Sequence, residues 1–212
     1  MKTTLIADDH HLVQKGLKIM LKEVLGSDNE VEFASNGKEV LAKLKHTHFH
    51  MLITDLNMPE TDSMEMVSAA LKISPDLKIL VVTIAPDAIF APRYLRAGVN
   101  GYVSKEAPDE TLREAIWTVS NGRRYMSSNQ AKDFADSFLF GNEANPFDKL
   151  SRRELEVTLL LLKGYGAIEV ANALQIGTST ASTYRSRIFE KLNIKSLIDL
   201  LRLAREFRIG DD

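Results

Sequence analysis

The sequence predicts an α/β domain on a doubly wound, five-stranded parallel sheet, followed by a small all-α domain with a helix-turn-helix. Three observations carry this prediction. Strand-like and helix-like stretches alternate about five times over the first 121 residues. The strand-like runs are four to six residues long and rich in Val, Ile and Leu, as expected of strands buried on both faces. Beyond Pro146 only helical patterns remain. Strand–helix alternation implies right-handed crossovers and a parallel sheet covered on both sides.

Taken in order, Thr3–Ala7 is a strand that runs into Asp8-Asp9, and a helix follows over 11–25. The next helix spans 36–46, where Asn36 reads as an N-cap and Glu39 as the acid that reaches back. His50–Thr54 is a strand ending on Asp55, with a helix over 63–73. Leu77–Val82 reaches Thr83. The following helix, around 87–97, is weak because Pro86 and Pro92 interrupt it. A proline removes a helical donor and clashes one turn back, so a short helix starting near Ala91 is expected. Gly101–Ser104 reaches Lys105, and a helix over 108–121 begins with Pro108, which suits a first turn.

The pattern then changes. Ala131, Phe134, Ala135, Phe138 and Leu139 recur at helical spacing, predicting a helix over 127–140, and Phe140–Pro146 is a linker by composition. The expected division is 1–121, a linker over 122–149, and 150–212. Ser151-Arg152-Arg153-Glu154 is a capping box opening a helix over 151–163. Helices over 167–174, 178–192 and 195–207 follow, with Gln175-Ile176-Gly177 as the tight turn between the second and third.

Composition narrows the function. No apolar run approaches the roughly 18–20 residues of a membrane span, and MKTTLIADDH is short and acidic for a signal peptide. Cysteine is absent, so thiol chemistry and disulfides are excluded. A cytoplasmic location is the expectation. Net charge is −4 over 1–145 and +2 over 146–212, consistent with an acidic cation-binding half and a nucleic-acid-facing half.

In a parallel α/β sheet, ligands sit outside the carboxyl ends of the strands. The strand-end residues Asp8, Asp9, Asp55, Thr83 and Lys105 would therefore converge on one crevice. A hard cation such as Mg²⁺ needs only one or two carboxylates, and Asp8-Asp9 with Asp55 supply them. A carboxylate can also attack a phosphoryl group to form an acyl phosphate. Asp55 is the best candidate, since Asp8 and Asp9 would be occupied with metal. Lys105 can neutralise phosphoryl oxygens, and Thr83 can donate to one. Each residue alone has an ordinary reading as a cap, a solvated charge or a strand residue; their coincidence carries the inference. A phosphatase would need an Asp-x-Asp pair, which the Asp55 segment lacks. His46, His48 and His50 would lie on one strand face by alternation, without acidic partners, and His10 and His11 would flank the crevice.

Asp8-Asp9, Asp55-Leu56-Asn57-Met58-Pro59, Thr83 and Gly101-Tyr102-Val103-Ser104-Lys105 resemble the receiver domain of bacterial two-component response regulators, in order and at the right spacing. The resemblance implies a flavodoxin-like strand order, with residues 1–121 as a phosphoacceptor domain. It further implies that Asp55 takes a phosphoryl group from a histidine kinase. Asp8, Asp9, Asp55 and the Asn57 carbonyl would surround Mg²⁺, Thr83 and Lys105 would grip the phosphate, and Tyr102 would act with Thr83 as the switch. No enzymatic turnover is implied beyond self-catalysed transfer to, and loss from, Asp55. Ser63 stands where such receivers usually have glycine, and Ile84–Pro92 departs from their usual relay.

In the helix over 178–192, Ala181, Tyr184, Ile188 and Leu192 form the inward face. Ser179, Ser182, Thr183, Ser186 and Arg187 lie opposite; with Thr180 and Arg185 they form a small polar surface suited to a major groove. Residues 150–205 resemble the LuxR-type output domain joined to receivers in NarL/FixJ-type regulators. That resemblance makes 178–192 the recognition helix and implies dimerisation through Ile194–Phe207. Lysines common in that family are Ser179 and Ser182 here, and its histidine is Tyr184. The whole chain then reads as a phosphorylation-controlled transcription regulator, binding double-stranded DNA as a homodimer on an inverted-repeat operator, with half-sites about 34 Å apart.

Overall fold

The computed structural model describes residues 2–128, 130, 131, 145–207 and 209. The chain divides into two compact units, Met1–Phe140 and Gly141–Asp212.

The first unit carries one five-stranded parallel sheet in the order β2-β1-β3-β4-β5. Its strands are β1 (Lys2–Ala7), β2 (Asn29–Ala34), β3 (Met51–Thr54), β4 (Lys78–Thr83) and β5 (Gly101–Ser104). Helices connect and follow them: α1 (His11–Leu25), α2 (Gly37–His46), α3 (Ser63–Ile73), α4 (Asp87–Arg96) and α5 (Asp109–Ser120). Alternation along the strands builds two cores. Ile6, Ile53, Leu80, Val82 and Val103 pack with Leu17 and Leu21 of α1 and with Ile116 and Val119 of α5. Their neighbours Leu5, Leu52, Ile79, Val81 and Tyr102 point the other way and are equally buried. β2, at the sheet edge, is mixed in burial: Glu30 is exposed and Glu32, half-buried, pairs with Lys43 of α2, and charges along an edge strand discourage edge pairing.

Several elements follow from local chemistry. Asn36 caps α2 by accepting from Glu39 N, while the Glu39 carboxylate accepts from Ser35 N at 2.8 Å. Asp62 caps α3 through the Met64 and Glu65 amides. Pro108 stands at the N-cap of α5.

Two expectations are corrected. Helix α4 begins at Asp87, not near Ala91, and carries Pro92 inside it. A proline in a helix interior costs about 3 kcal/mol, but Phe90, Ala91, Tyr94 and Leu95 are all at most 1% exposed. Burying each large apolar side chain contributes roughly 1.5–3 kcal/mol, so packing outweighs the lost bond. The histidines do not share a strand face. His46 ends α2, and His48 and His50 lie in the connection before β3 with rings 5.0 Å apart, edge to face. Phe49 between them is 1% exposed, so that connection is pinned by its own core residue. The expected helix over 127–140 and the linker Phe140–Pro146 lie largely outside the described residues; Gln130 and Ala131 are helical.

The second unit is helical: a 3₁₀ turn (Pro146–Lys149), then α6 (Arg152–Leu162), α7 (Ala167–Leu174), α8 (Thr178–Leu192) and α9 (Leu197–Glu206). The capping box is present, with Ser151 accepting from Glu154 N and the Glu154 carboxylate from Ser151 N. Gln175, with φ of 53°, makes the left-handed turn between α7 and α8, and Asn193 ends α8 in the same conformation. Asparagine tolerates that region better than most residues, and the unbranched Gln175 enters it without the clash a β-branched side chain would make.

Candidate functional site

At the carboxyl end of the sheet, β1, β3 and β5 deliver Asp8, Asp55 and Lys105 to one place. The backbone ladder continues past the strands: Asp55 N donates to Ala7 O and Lys105 N to Thr83 O, both at 2.8 Å. The three side chains are therefore held in sheet register. Asp8 and Asp55 are 1% and 3% exposed. Lys105 Nζ lies 2.8 Å from Asp55 Oδ2, a hydrogen bond, and 2.6 Å from Asp8 Oδ2, a close ion pair less well aligned as a hydrogen bond. One ammonium thus serves two buried carboxylates. Burial pushes the Asp55 carboxyl up, but Lys105, the Thr83 hydroxyl and the Asn57 backbone N–H together hold it below its ordinary 3.8. Burial likewise depresses Lys105, yet Asp55 and Asp8 raise it above 10.5. Both groups are charged at neutral pH.

Asp9 is exposed. His10 takes the N-cap position of α1 without a capping bond; its Nδ1 lies 2.9 Å from Asp9 Oδ1 and 3.2 Å from Asp8 Oδ1. Ligand atoms of Asp8, Asp9 and His10 lie within 4.8 Å of one another, close enough to surround a cation. Two of those donors are hard carboxylate oxygens, which suits Mg²⁺. Thr83 is fully buried, its Oγ1 accepting from Ala85 N at 3.3 Å. Tyr102 is also fully buried, and its hydroxyl donates to Ala85 O at 3.0 Å. Ala85 thus joins the two expected switch residues through one peptide segment. Ile84, beside them, is 61% exposed.

Two residues that support this site were not singled out from sequence. Gln14 is 5% exposed, and its amide donates to Asp8 O at 2.6 Å and Ala34 O at 3.2 Å, tying the ends of β1 and β2. A glutamine on the same helix stripe as Leu17 and Leu21 was the available signal. Gln130 donates to Tyr102 O at 3.2 Å and to Asp87 Oδ2 at 3.3 Å; nothing in its local sequence marks those partners.

In the second unit, α8 turns Ala181, Ile188 and Leu192 inward, with Tyr184 half-buried. Ser179, Thr180, Ser182, Thr183, Arg185, Ser186 and Arg187 are all exposed. Thr183 and Ser186 donate back to Ser179 O and Ser182 O, one turn earlier. Their hydroxyl protons are therefore used within the helix, and their lone pairs face outward as acceptors. The Arg185 guanidinium stacks 5.2 Å from the Phe189 ring centroid. Below, Glu154 is 3% exposed and pairs with Lys191 Nζ at 2.6 Å, binding α6 to α8.

Known proteins resemble the chain along nearly its whole length. Residues 4–117 match the response regulator receiver domain. Residues 148–204 match the luxR family of bacterial regulatory proteins. The chain is 36% identical to the oxygen regulatory protein NreC of Staphylococcus carnosus, covering 97% of this chain and 98% of that one. It is 34% identical to the response regulator GacA of Pseudomonas aeruginosa, covering 96% and 95%. The RcsB response regulator of Salmonella typhimurium shares the fold, with a TM-score of 0.60 at 23% identity over 97% of this chain and 100% of that one. An RcsB–DNA complex does so with a TM-score of 0.57 at 24% identity over 96% and 98%. Among the described residues no helix is long and apolar enough to cross a membrane. The chain belongs to the response regulators that join a receiver domain to a luxR-type DNA-binding domain and regulate transcription.

Proposed function

We propose that Asp55 is the phosphoacceptor and that its phosphorylation by a histidine kinase controls DNA binding by α8. The observation that carries this reading is the buried Asp8–Lys105–Asp55 cluster, in which Lys105 bridges the two carboxylates at 2.6 and 2.8 Å. In the transfer, one carboxylate oxygen of Asp55 attacks phosphorus as the bond from phosphorus to the donor nitrogen breaks. The imidazole leaves with that electron pair, and Asp55 becomes an acyl phosphate. The same carboxylate accepts from a small donor such as acetyl phosphate, with acetate leaving. Lys105 and the Thr83 hydroxyl neutralise charge on the phosphoryl oxygens. Asp8, Asp9, Asp55 and the Asn57 carbonyl would hold Mg²⁺, which supplies further positive charge between the carboxylates and the phosphoryl group.

Phosphorylation adds roughly −1.5 to −2 of charge beside Thr83. A Thr83 hydroxyl drawn to that charge withdraws from Ala85 N, and Tyr102, bonded to Ala85 O, follows. In the second unit, Ser179, Thr180, Ser182, Thr183, Arg185 and Arg187 meet the major groove. Arginines supply the donors there, and the back-bonded hydroxyls supply acceptors. The protein acts in the cytoplasm, as a homodimer on an inverted-repeat operator. A DNA complex is known for the similar RcsB.

Intact mass and light scattering with acetyl phosphate and Mg²⁺ test the reading on wild type and Asp55→Ala. A phosphoryl increment confined to wild type, with a change in oligomeric state or operator affinity, is the expected result. Equal affinity and size for both proteins under the donor would refute the phospho-switch.

A further inference from the structure

Ser63 is the first residue of α3 and is fully buried. Its hydroxyl donates to Leu56 O at 2.6 Å. Leu56 is likewise fully buried and directly follows Asp55, and its own N–H donates to Asp55 Oδ1 at 2.6 Å. The carbonyl that Ser63 holds belongs to the Leu56–Asn57 peptide, whose other polar group is the Asn57 N–H. A peptide unit is planar, with its C=O and N–H pointing in opposite directions. Fixing the carbonyl therefore fixes where the N–H points. That N–H is among the groups that hold the Asp55 carboxyl below its ordinary value, beside the Leu56 N–H that is bonded to it.

The anchor is rigid. Ser63 sits at a helix start whose first turn is tied by Asp62 to the Met64 and Glu65 amides at 3.0 and 3.1 Å. Donation to a peptide carbonyl also polarises the peptide, which strengthens its N–H as a donor. Glycine at this position has no hydroxyl and leaves the carbonyl without this partner.

We propose that Ser63 is a positioning residue for phosphoryl transfer: its hydroxyl holds the Leu56–Asn57 peptide so that the Asn57 N–H is presented to Asp55 and to the incoming phosphoryl oxygens. This rests on Asp55 being the phosphoacceptor. The effect falls on the transition state, where charge spreads over the phosphoryl oxygens and a fixed donor costs no reorganisation. It therefore alters the maximal rate of phosphorylation and leaves the half-saturating donor concentration unchanged.

The test uses the full chain with acetyl phosphate and Mg²⁺, following the phosphoryl mass increment over time in wild type, Ser63→Ala and Ser63→Thr. Ser63→Ala is expected to slow the maximal rate about fivefold, the worth of one hydrogen bond. Ser63→Thr, which restores the hydroxyl, is expected to stay within about twofold of wild type on the same basis. The Asn57 amide proton in a ¹⁵N–¹H spectrum should move upfield in Ser63→Ala alone. Should Ser63→Ala not fold, Ser63→Gly carries the same comparison. A wild-type maximal rate in Ser63→Ala overturns the proposal, as does an equal loss in Ser63→Ala and Ser63→Thr or an unmoved Asn57 amide. No mass increment in wild type itself removes the Asp55 reading, and this one with it.

Discussion

Replacing Lys105 with methionine keeps the length of the side chain and deletes the ammonium that Asp8 and Asp55 share. Those carboxylates are 1% and 3% exposed, so water cannot take over. At 2.6 and 2.8 Å, with an effective dielectric near 20, each attraction is about 6 kcal/mol before desolvation is subtracted. Removing one member of a buried ionic cluster typically costs about 3–5 kcal/mol. An upper bound comes from the alternative open to the variant, which is to protonate one aspartate. From an ordinary value of 3.8, protonation at pH 7 costs about 4 kcal/mol. The expected loss is therefore about 3–4 kcal/mol. Urea unfolding followed through Trp117, the single tryptophan, reports the first unit alone. Mg²⁺ should restore part of the loss, by about 2.7 kcal/mol at a hundredfold excess over its dissociation constant.

The pH dependence has a definite sign. Asp55 is lowered on folding, so its contribution is present above pH 3.8 and is lost as pH falls through the lower folded value. Lys105 is raised on folding, so its contribution is present below 10.5 and is lost as pH rises through the higher folded value. Wild type itself should vary little from about pH 5 to 9, whereas the variant, which relieves its unpaired carboxylate by protonating it, should fall further behind as pH rises through that window, by at most about 1.4 kcal/mol per pH unit. A loss below about 1 kcal/mol, or a gap that Mg²⁺ does not narrow, would refute the reasoning.

Three further outcomes are expected. Glu154 is held below its ordinary 4.5 by Lys191 and the Ser151 cap, against burial that raises it; its contribution is present above 4.5 and is lost as pH falls through the folded value. Lys191 is partly exposed, so Glu154→Gln should cost about 1–2 kcal/mol at pH 7, and the gap between wild type and this variant in urea unfolding should shrink as pH falls below 4.5; a gap that persists at low pH would refute the assignment. Pro92→Ala should stabilise the first unit by about 1–3 kcal/mol in urea, because it returns a helical donor inside α4; a destabilised variant would show that the packing of Pro92 matters more. Arg187→Ala should weaken operator binding and reduce its logarithmic salt slope by about one if the contact is to phosphate. An unchanged slope with relaxed base preference would place Arg187 on a base edge instead.

Strand-end chemistry was legible because a parallel sheet sends every carboxyl end to the same side, so Asp8, Asp55, Thr83 and Lys105 needed only correct strand limits to be brought together. Caps such as Asn36 and Ser151 were legible for a similar reason, since their partners lie three residues away. Helix α4 was misread because proline acts locally, whereas the burial of Phe90, Tyr94 and Leu95 that overrides it is contributed by the rest of the unit. The histidines of the α2–β3 connection were misread because alternation has meaning only inside a strand, and β3 begins at Met51. β2 was the least legible strand, since Glu30 and Glu32 break the continuous apolar run that marks its neighbours.

Sequence by itself thus determined the five-stranded α/β fold, the helical second unit and the set of side chains available at the sheet's carboxyl end. Tertiary structure alone decided their pairing: one ammonium between two buried carboxylates, Gln14 across the ends of β1 and β2, Tyr102 on Ala85, and Ser63 on the Leu56 carbonyl. The physical reason is range. Periodicity and capping are written within a few residues, whereas a hydrogen bond of under 3 Å between Lys105 and Asp55, fifty positions apart, depends on how every intervening element packs.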